Sequence, residues 1–174
     1  MAHPFKHLRL IIKHRHRVIA NASHMGIFFH ALRHDLSKFS HLEFHTSSKY
    51  YIGDHSPVYE ERLANDYFST ICQHHTRRNK HHWEYWLDFG KDGIYPCQMP
   101  VNYVIEMFCD RVAASMIYQK EKYTDSSALD YYIQGRDKIL IHPNTDALIF
   151  SLLTYLSKNG LDKTIEYIKK EVKQ

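Results

Sequence analysis

Apolar positions recur along this chain at intervals of three and four residues, and the pattern breaks where glycine, proline and small polar residues gather. From Phe5 to Phe29, the positions Leu8, Ile11, Ile12, Val18, Ile19, Ala22 and Met25 fall close to helical spacing. Gly26 ends or bends that helix. Ser40 followed by Glu43 is a capping-box pattern and marks a new helix start. Tyr50 to Ser56, with Gly53 and Asp54, reads as a loop. Ser56-Pro57 then reads as an N-cap with proline at the first helical position. One helix is predicted from Pro57, carrying Val58, Leu63, Tyr67, Phe68 and Ile71 toward His74 and His75.

Leu87 to Pro100 contains Gly90, Gly93, Pro96 and Pro100, and predicts an irregular connection. Pro100 opens a helix whose core face is Val101, Val104, Ile105, Phe108, Val112 and Met116. A short helix over Ser126 to Gln134 follows. Another runs from Pro143 to Asn159, with Gly160 as its C-terminal cap. The last, Leu161 to Val172, is amphipathic and Lys-rich. No alternating β run of useful length appears, and no repeat or linker. The pattern predicts an all-α, single-domain bundle of about seven helices spanning residues 1–174.

Composition narrows the function classes. A chain of 174 residues, 44% hydrophobic with 13 Tyr and 9 Phe, can bury one substantial core and is not a disordered segment. It has no uncharged apolar run of about 18 residues, so no transmembrane helix and no membrane partner are expected. The basic start, Met1 to Arg17, is not followed by an apolar stretch and a small-residue cleavage site, so no signal peptide is expected. Three cysteines (Cys72, Cys97, Cys109) without a C-x-x-C pair argue against a disulfide framework or a thiolate zinc site. They favour a reducing, cytoplasmic setting. The net charge of +4 could help attract a phosphorylated substrate, but does not by itself indicate a nucleic-acid-binding protein. The unusual count is 15 His, which points toward a metal site of nitrogen and oxygen ligands.

Four islands hold the candidate chemistry. They are Lys13-His14-Arg15-His16-Arg17-Val18, then His34-Asp35-Leu36-Ser37-Lys38-Phe39, then His74 and His75 through Asn79 to His81-His82-Trp83-Glu84-Tyr85-Trp86, and finally Cys109-Asp110-Arg111-Val112-Ala113-Ala114. A divalent metal that activates water needs neutral imidazoles, carboxylates and open coordination positions, and a helical bundle can supply them from facing helices. Neighbouring residues on a helix point about 100° apart, so an adjacent His-Asp pair reaches one metal more easily at a helix end or distortion. The stretch after Gly26 offers one. Asp110 lies among Met107, Phe108, Val112 and Ala113, where a carboxylate is costly unless paired, hydrogen-bonded or metal-bound.

In this order (His, then His-Asp, then Asp) the chain resembles the HD-domain phosphohydrolase superfamily. His34-Asp35-Leu36-Ser37-Lys38 is similar to its H-D-[IL]-[GS]-K core, and Asp110 to Ala114 to its D-x-x-x-A stretch. More narrowly, the chain resembles a small uncharacterised bacterial and phage family with H-D-x-S-K-F-S-x-x-E-F and H-H-x-x-x-N-x-H-H-W-E-Y-W blocks. That resemblance spans roughly Ile11 to Met116, the expected metal-binding core, and leaves residues 117–174 without a counterpart.

The resemblance implies an HD-like bundle with His14, His34, Asp35 and Asp110 on a first metal. His16 competes with His14, because H-x-H-x-V leaves the register open by two. Asp35 would bridge to a second metal held by His74 or His75 with His81 or His82. Lys38 would bind a substrate phosphate or pair with a ligand carboxylate, and Glu43 would act as general base or hold a water. Arg77 or Arg78 would clamp phosphate. The Gly-Tyr-Pro signature of the cyclic-di-GMP-cleaving branch is absent, so that substrate is not supported.

The implied activity is metal-dependent hydrolysis of a nucleotide or other small phosphorylated metabolite, with one or two Fe, Mn, Zn or Ni ions. Two rivals stand beside it. One is a di-iron oxygenase on the same scaffold. The other is a non-enzymatic module, either metal-stabilised or binding nucleic acid through Lys13 to Arg17 and Arg77 to Lys80. Each residue also has a plainer reading: an ion pair for Asp110 with Arg111 or Arg33, a capping box for Glu43, and core packing for Trp83, Tyr85 and Trp86.

Overall fold

The computed structural model describes residues 3–173. Among them are nine α-helices: α1 (Pro4–His24), α2 (Phe28–Ala31), α3 (His41–Tyr50), α4 (Pro57–Ala64), α5 (Thr70–Thr76), α6 (Val101–Gln119), α7 (Ser127–Gly135), α8 (Pro143–Asn159) and α9 (Leu161–Tyr167). Strands β1 (Leu87–Gly90) and β2 (Gly93–Pro96) form an antiparallel hairpin. The all-α bundle read from the periodicity is the observed architecture, with this hairpin added.

The core forms where the apolar stripes of α1, α6 and α8 meet. It contains Val18, Ala22 and Met25 from the first stripe and its end, Val104, Ile105, Phe108 and Val112 from the second, and Ile149, Leu152, Leu153 and Leu156 from the third. Helices α7 and α9 pack on α8, and a π-helical turn, Ile168–Val172, brings Ile168 into the same core. The buried stripe of α1 runs His7, Ile11, His14, Val18, Ala22, in steps of three and four. Its N-terminal half therefore substitutes imidazoles for apolar side chains. Helix α3 packs on α1, α4 and α5.

The helix count exceeds the expected seven because two predicted helices divide. The first breaks at Gly26, which adopts φ +75°, a conformation glycine accepts without a Cβ penalty. The second breaks after Ala64, where Asp66 and Tyr67 have φ of +49° and +65°. Leu63, Tyr67 and Phe68, expected along one continuous helix, are exposed at and around this break. The cause is Glu61: buried on α4, it accepts hydrogen bonds from Ser69 Oγ and from the Thr70 and Ile71 amides, and so caps a separate helix α5. Val101, expected on the core face of α6, lies in its exposed first turn. The connection expected to be irregular contains the hairpin, closed at Gly93 with φ +119°.

Because Glu61 fixes the start of the helix that carries His75, its loss should loosen both. Glu61→Ala strands donors at the α5 N-terminus, at about 1–3 kcal/mol for each buried group. The expected result is about 3 kcal/mol lost in urea denaturation with an unchanged m-value. A loss below about 0.5 kcal/mol, the size of an ordinary surface change, would refute the cap.

Candidate metal centre

Between α1, α6 and the α2–α5 segment lies a buried cluster of imidazoles and carboxylates. Residues His14, His34, Asp35 and Asp110 form one group able to hold a cation. Asp35, His75, His81 and His82 form a second.

The chain delivers these groups by identifiable local devices. His34 closes a turn after α2, with its amide bonded to Ala31 O, and Asp35 follows in the left-handed region at φ +55°, ψ +23°. Asp tolerates that region better than most residues, at roughly 1–2 kcal/mol. The reversal lets two adjacent side chains face one point, which a regular helix would forbid. Arg15 braces this turn from α1, its Nε donating to His34 O at 2.9 Å and its Nη2 to Leu32 O. Helix α6 presents Glu106 and Asp110 one turn apart, and α5 presents His75. The loop after α5 supplies His81 and His82, with Asn79 Nδ2 donating to Ser37 Oγ and to His75 O.

The first group has the spacing of a coordination shell. His14 Nε2 lies 2.9 Å from Asp110 Oδ1 and 3.7 Å from Asp35 Oδ2. His34 Nε2 lies 3.4 Å from Asp35 Oδ2, 3.5 Å from Asp110 Oδ1 and 3.4 Å from His14 Nε2. Ligands about 2.1 Å from a metal are about 3.4 Å apart in a tetrahedron and about 3.0 Å apart at right angles. The second group begins on the other carboxylate oxygen: Asp35 Oδ1 lies 3.2 Å from His75 Nε2 and 3.6 Å from His81 Nε2. Asp35 thus faces one group with each oxygen.

The protein leaves key atoms of this enclosure without hydrogen bonds. Both Asp35 oxygens, His81 Nε2 and His82 Nε2 are buried and have no hydrogen-bond partner. Lys38 Nζ lies 2.7 Å from Asp35 Oδ2, an ion pair without hydrogen-bond direction. A set of lone pairs converging in a buried space fits a cation, because acceptors facing acceptors are otherwise unfavourable. The opposite ring nitrogens are tied down. Glu106 Oε1 accepts from His34 Nδ1 at 2.9 Å and His81 Nδ1 at 3.1 Å, and Glu43 Oε2 accepts from His75 Nδ1 at 3.0 Å. Carboxylates behind ligating histidines are the usual way a metal site fixes the imidazole tautomer.

Electrostatics divide the imidazoles: nearby carboxylates outweigh burial and raise His34 and His75, whereas His81 and His82 are lowered. Burial pushes the His81 and His82 imidazolium forms down, His82 strongly, and neighbouring imidazoles add to it, so both are neutral and offer a lone pair. Burial alone would raise Asp35. His34, Lys38 and His75 outweigh it and hold the carboxyl well below its usual range. Burial opposes the charge on Lys38 as well, but Asp35 and Asp110 outweigh it and raise the ammonium. The cluster opens to solvent along a rim, where Asp110, Lys38 and His82 keep 21%, 32% and 27% of their side-chain surface, while His34, Asp35 and His81 are sealed.

The structure sorts the candidates. His14, His34, Asp35, Asp110, His75 and His82 are brought together, with His81 beside them. His16 is exposed on the outer face of α1, so the register falls on His14. His74 turns away to Glu43 Oε1. Glu43 is not free to act as a base: it is 1% exposed and engaged by His74 and His75. Only half of its capping box forms, with the Glu43 amide on Ser40 Oγ, since the Ser40 amide goes to Ser37 O. Lys38 pairs with the Asp35 carboxylate. Arg77 and Arg78 are exposed, and Arg78 bonds to His74 O. Among the described residues no ion pair joins either to the cluster. Arg111 stacks over Tyr132 rather than pairing with Asp110. Glu106 was missed by the sequence reading. Its signal was a second acid in the apolar run of α6, four residues before Asp110 and so on the same face.

His7 lies two turns before His14 on the same stripe, with Nε2 2.7 Å from Ser47 Oγ. Burial, and then the Lys38 charge, lower its pKa to about 4. Below pH about 6.5 the unfolded chain takes up a proton that the folded chain refuses until about pH 4. Stability therefore falls as pH drops through that window, by up to about 3 kcal/mol. In chelator, His7→Gln should flatten that part of the pH–stability curve. Parallel curves for the two proteins would contradict a buried neutral His7.

The comparisons with known proteins are sparse. No curated protein and no solved structure matches the chain significantly. One family model matches residues 3–155, extending beyond Met116 through α7 and most of α8. The chain therefore belongs to DUF5662, a family of unknown function.

Proposed function

We propose that this protein is a metal-dependent phosphohydrolase of HD type, acting on a small phosphorylated substrate with two divalent cations bridged by Asp35. The observation that carries the reading is the placement of the Asp35 carboxylate: one oxygen faces each of two donor groups, in a space where its own hydrogen bonds are unmet. His14, His34 and Asp110 would complete the first position, and His75, His81 and His82 the second. A cation pair there would lower the pKa of water and neutralise charge on phosphoryl oxygens. Fe, Mn, Zn and Ni all suit this donor set.

The chain's own groups supply the rest. Lys38 balances the bridging carboxylate and, at the rim, offers N–H donors to an arriving phosphate. Asp110 holds the solvent-facing edge of the first group, and His82 that of the second. The sealed His34 and His81 keep water from the rear. Glu43 and Glu106 hold imidazoles in place and stay out of the reaction. With Arg77 and Arg78 both exposed and Arg78 bonded to His74 O, Lys38 is the cationic contact this reading relies on.

The test is a phosphate-release screen over nucleotides and phosphomonoesters, on chelator-stripped protein with each metal restored. Expected are metal-dependent turnover, a Tm raised by added metal, and loss in Asp35→Ala beyond the roughly 10–100-fold typical of outer-shell changes. At a thousandfold excess over Kd the stabilisation should be about 4 kcal/mol. Lys38→Ala should raise KM. Metal binding with oxygen uptake but no phosphate release would favour the oxygenase rival, and no metal-induced Tm shift would overturn the metal centre.

A further inference from the structure

We propose that Glu106 is a positioning residue common to both cation positions, and that through it the two positions fill together. This rests on the metal-centre reading above. Its starting point is a single oxygen: Glu106 Oε1 is 2.9 Å from His34 Nδ1 and 3.1 Å from His81 Nδ1. His34 belongs to the first donor group and His81 to the second.

A neutral imidazole has one N–H. When both rings donate from Nδ1 to Glu106, both lone pairs lie on Nε2. His34 Nε2 then faces Asp35 Oδ2, and His81 Nε2 faces Asp35 Oδ1. The two rings lie side by side, with centroids 4.4 Å apart. A cation that draws His34 into place therefore sets Glu106 for His81, and the reverse holds equally. Glu43 provides the contrast: of the residues in the two donor groups it holds only His75, its other oxygen going to His74, so its influence reaches one position only.

Placement on α6 reinforces the coupling. Glu106 lies one turn before Asp110, so one rigid helix carries a direct donor of the first group and the orienting group of both. The carboxylate is 5% exposed, and His30 Nε2 approaches its other oxygen at 2.8 Å. Glu106, His34 and His81 could alternatively hold a cation themselves. That use would take both Nδ1 lone pairs and leave the N–H groups on Nε2, pointing at the two main positions. The two uses exclude one another.

The experiment titrates chelator-stripped full-length protein with Co²⁺, reading bound metal per chain after gel filtration and the visible absorption of each site. The wild type should take up two ions per chain in one steep transition. Glu106→Gln, close in size, should weaken both ions together by about 10–100-fold, while Glu43→Gln weakens one and leaves the other. Circular dichroism and a thermal melt establish folding, and Glu106→Asp, which shortens the reach but keeps the charge, provides a second variant on the same prediction. Retention of both ions at wild-type affinity, loss of one alone, or loss of a third ion only would overturn the inference and spare the metal centre. A wild type that takes up no cation would overturn both.

Discussion

A buried carboxylate whose two oxygens lack hydrogen-bond partners is the constraint on which this molecule turns. Asp35 is fully enclosed and faces imidazole nitrogens on both sides. Lys38 is the permanent cation paired with it, and Asp110, Glu106 and Glu43 lie in the same neighbourhood. Burying this much negative charge is costly, and protons or a cation can compensate it. The raised pKa of His34, where carboxylates outweigh burial, shows the proton solution. The same donor spacing accommodates the other.

The surrounding architecture serves that enclosure. One half of the bundle is an ordinary apolar core built by α1, α6 and α8, which supplies the rigidity. In the other half, α1 carries His7 and His14 in its buried stripe, and α6 turns a second face, with Glu106 and Asp110, toward the site along the same turns that supply its apolar face. The helices that frame the polar site are thus anchored by their own apolar stretches. The shorter segments, α2 to α5, wrap the polar half and are held by side-chain bonds such as those of Arg15 and Glu61.

The sequence exposed much of this and concealed a specific part. Long helices with caps were legible because spacing of three and four residues repeats over many turns in α1, α6 and α8. The division at Asn65–Ser69 was hidden because the helical spacing of apolar residues continues across it, and the Glu61 bonds that impose it are tertiary. Histidines and aspartates stood out by type, which located His14, His34, Asp35, Asp110, His75 and His82. Glu43 and Glu106 were harder, for different reasons. Glu43 matched a helix-start pattern that the structure half fulfils. Glu106 sits among Val104, Ile105, Met107 and Phe108, and only a comparison of helix faces connects it with Asp110.

The left-handed backbone at Asp35 restricts what chemistry this position can ever adopt. Asparagine shares the tolerance for that conformation, but its amide offers one oxygen where a bridge requires two. Glutamate has both oxygens, but a longer side chain and a poorer fit to positive φ. Backbone shape and the proposed bridge therefore favour the same residue independently, and a change that satisfies either one alone leaves the other unmet.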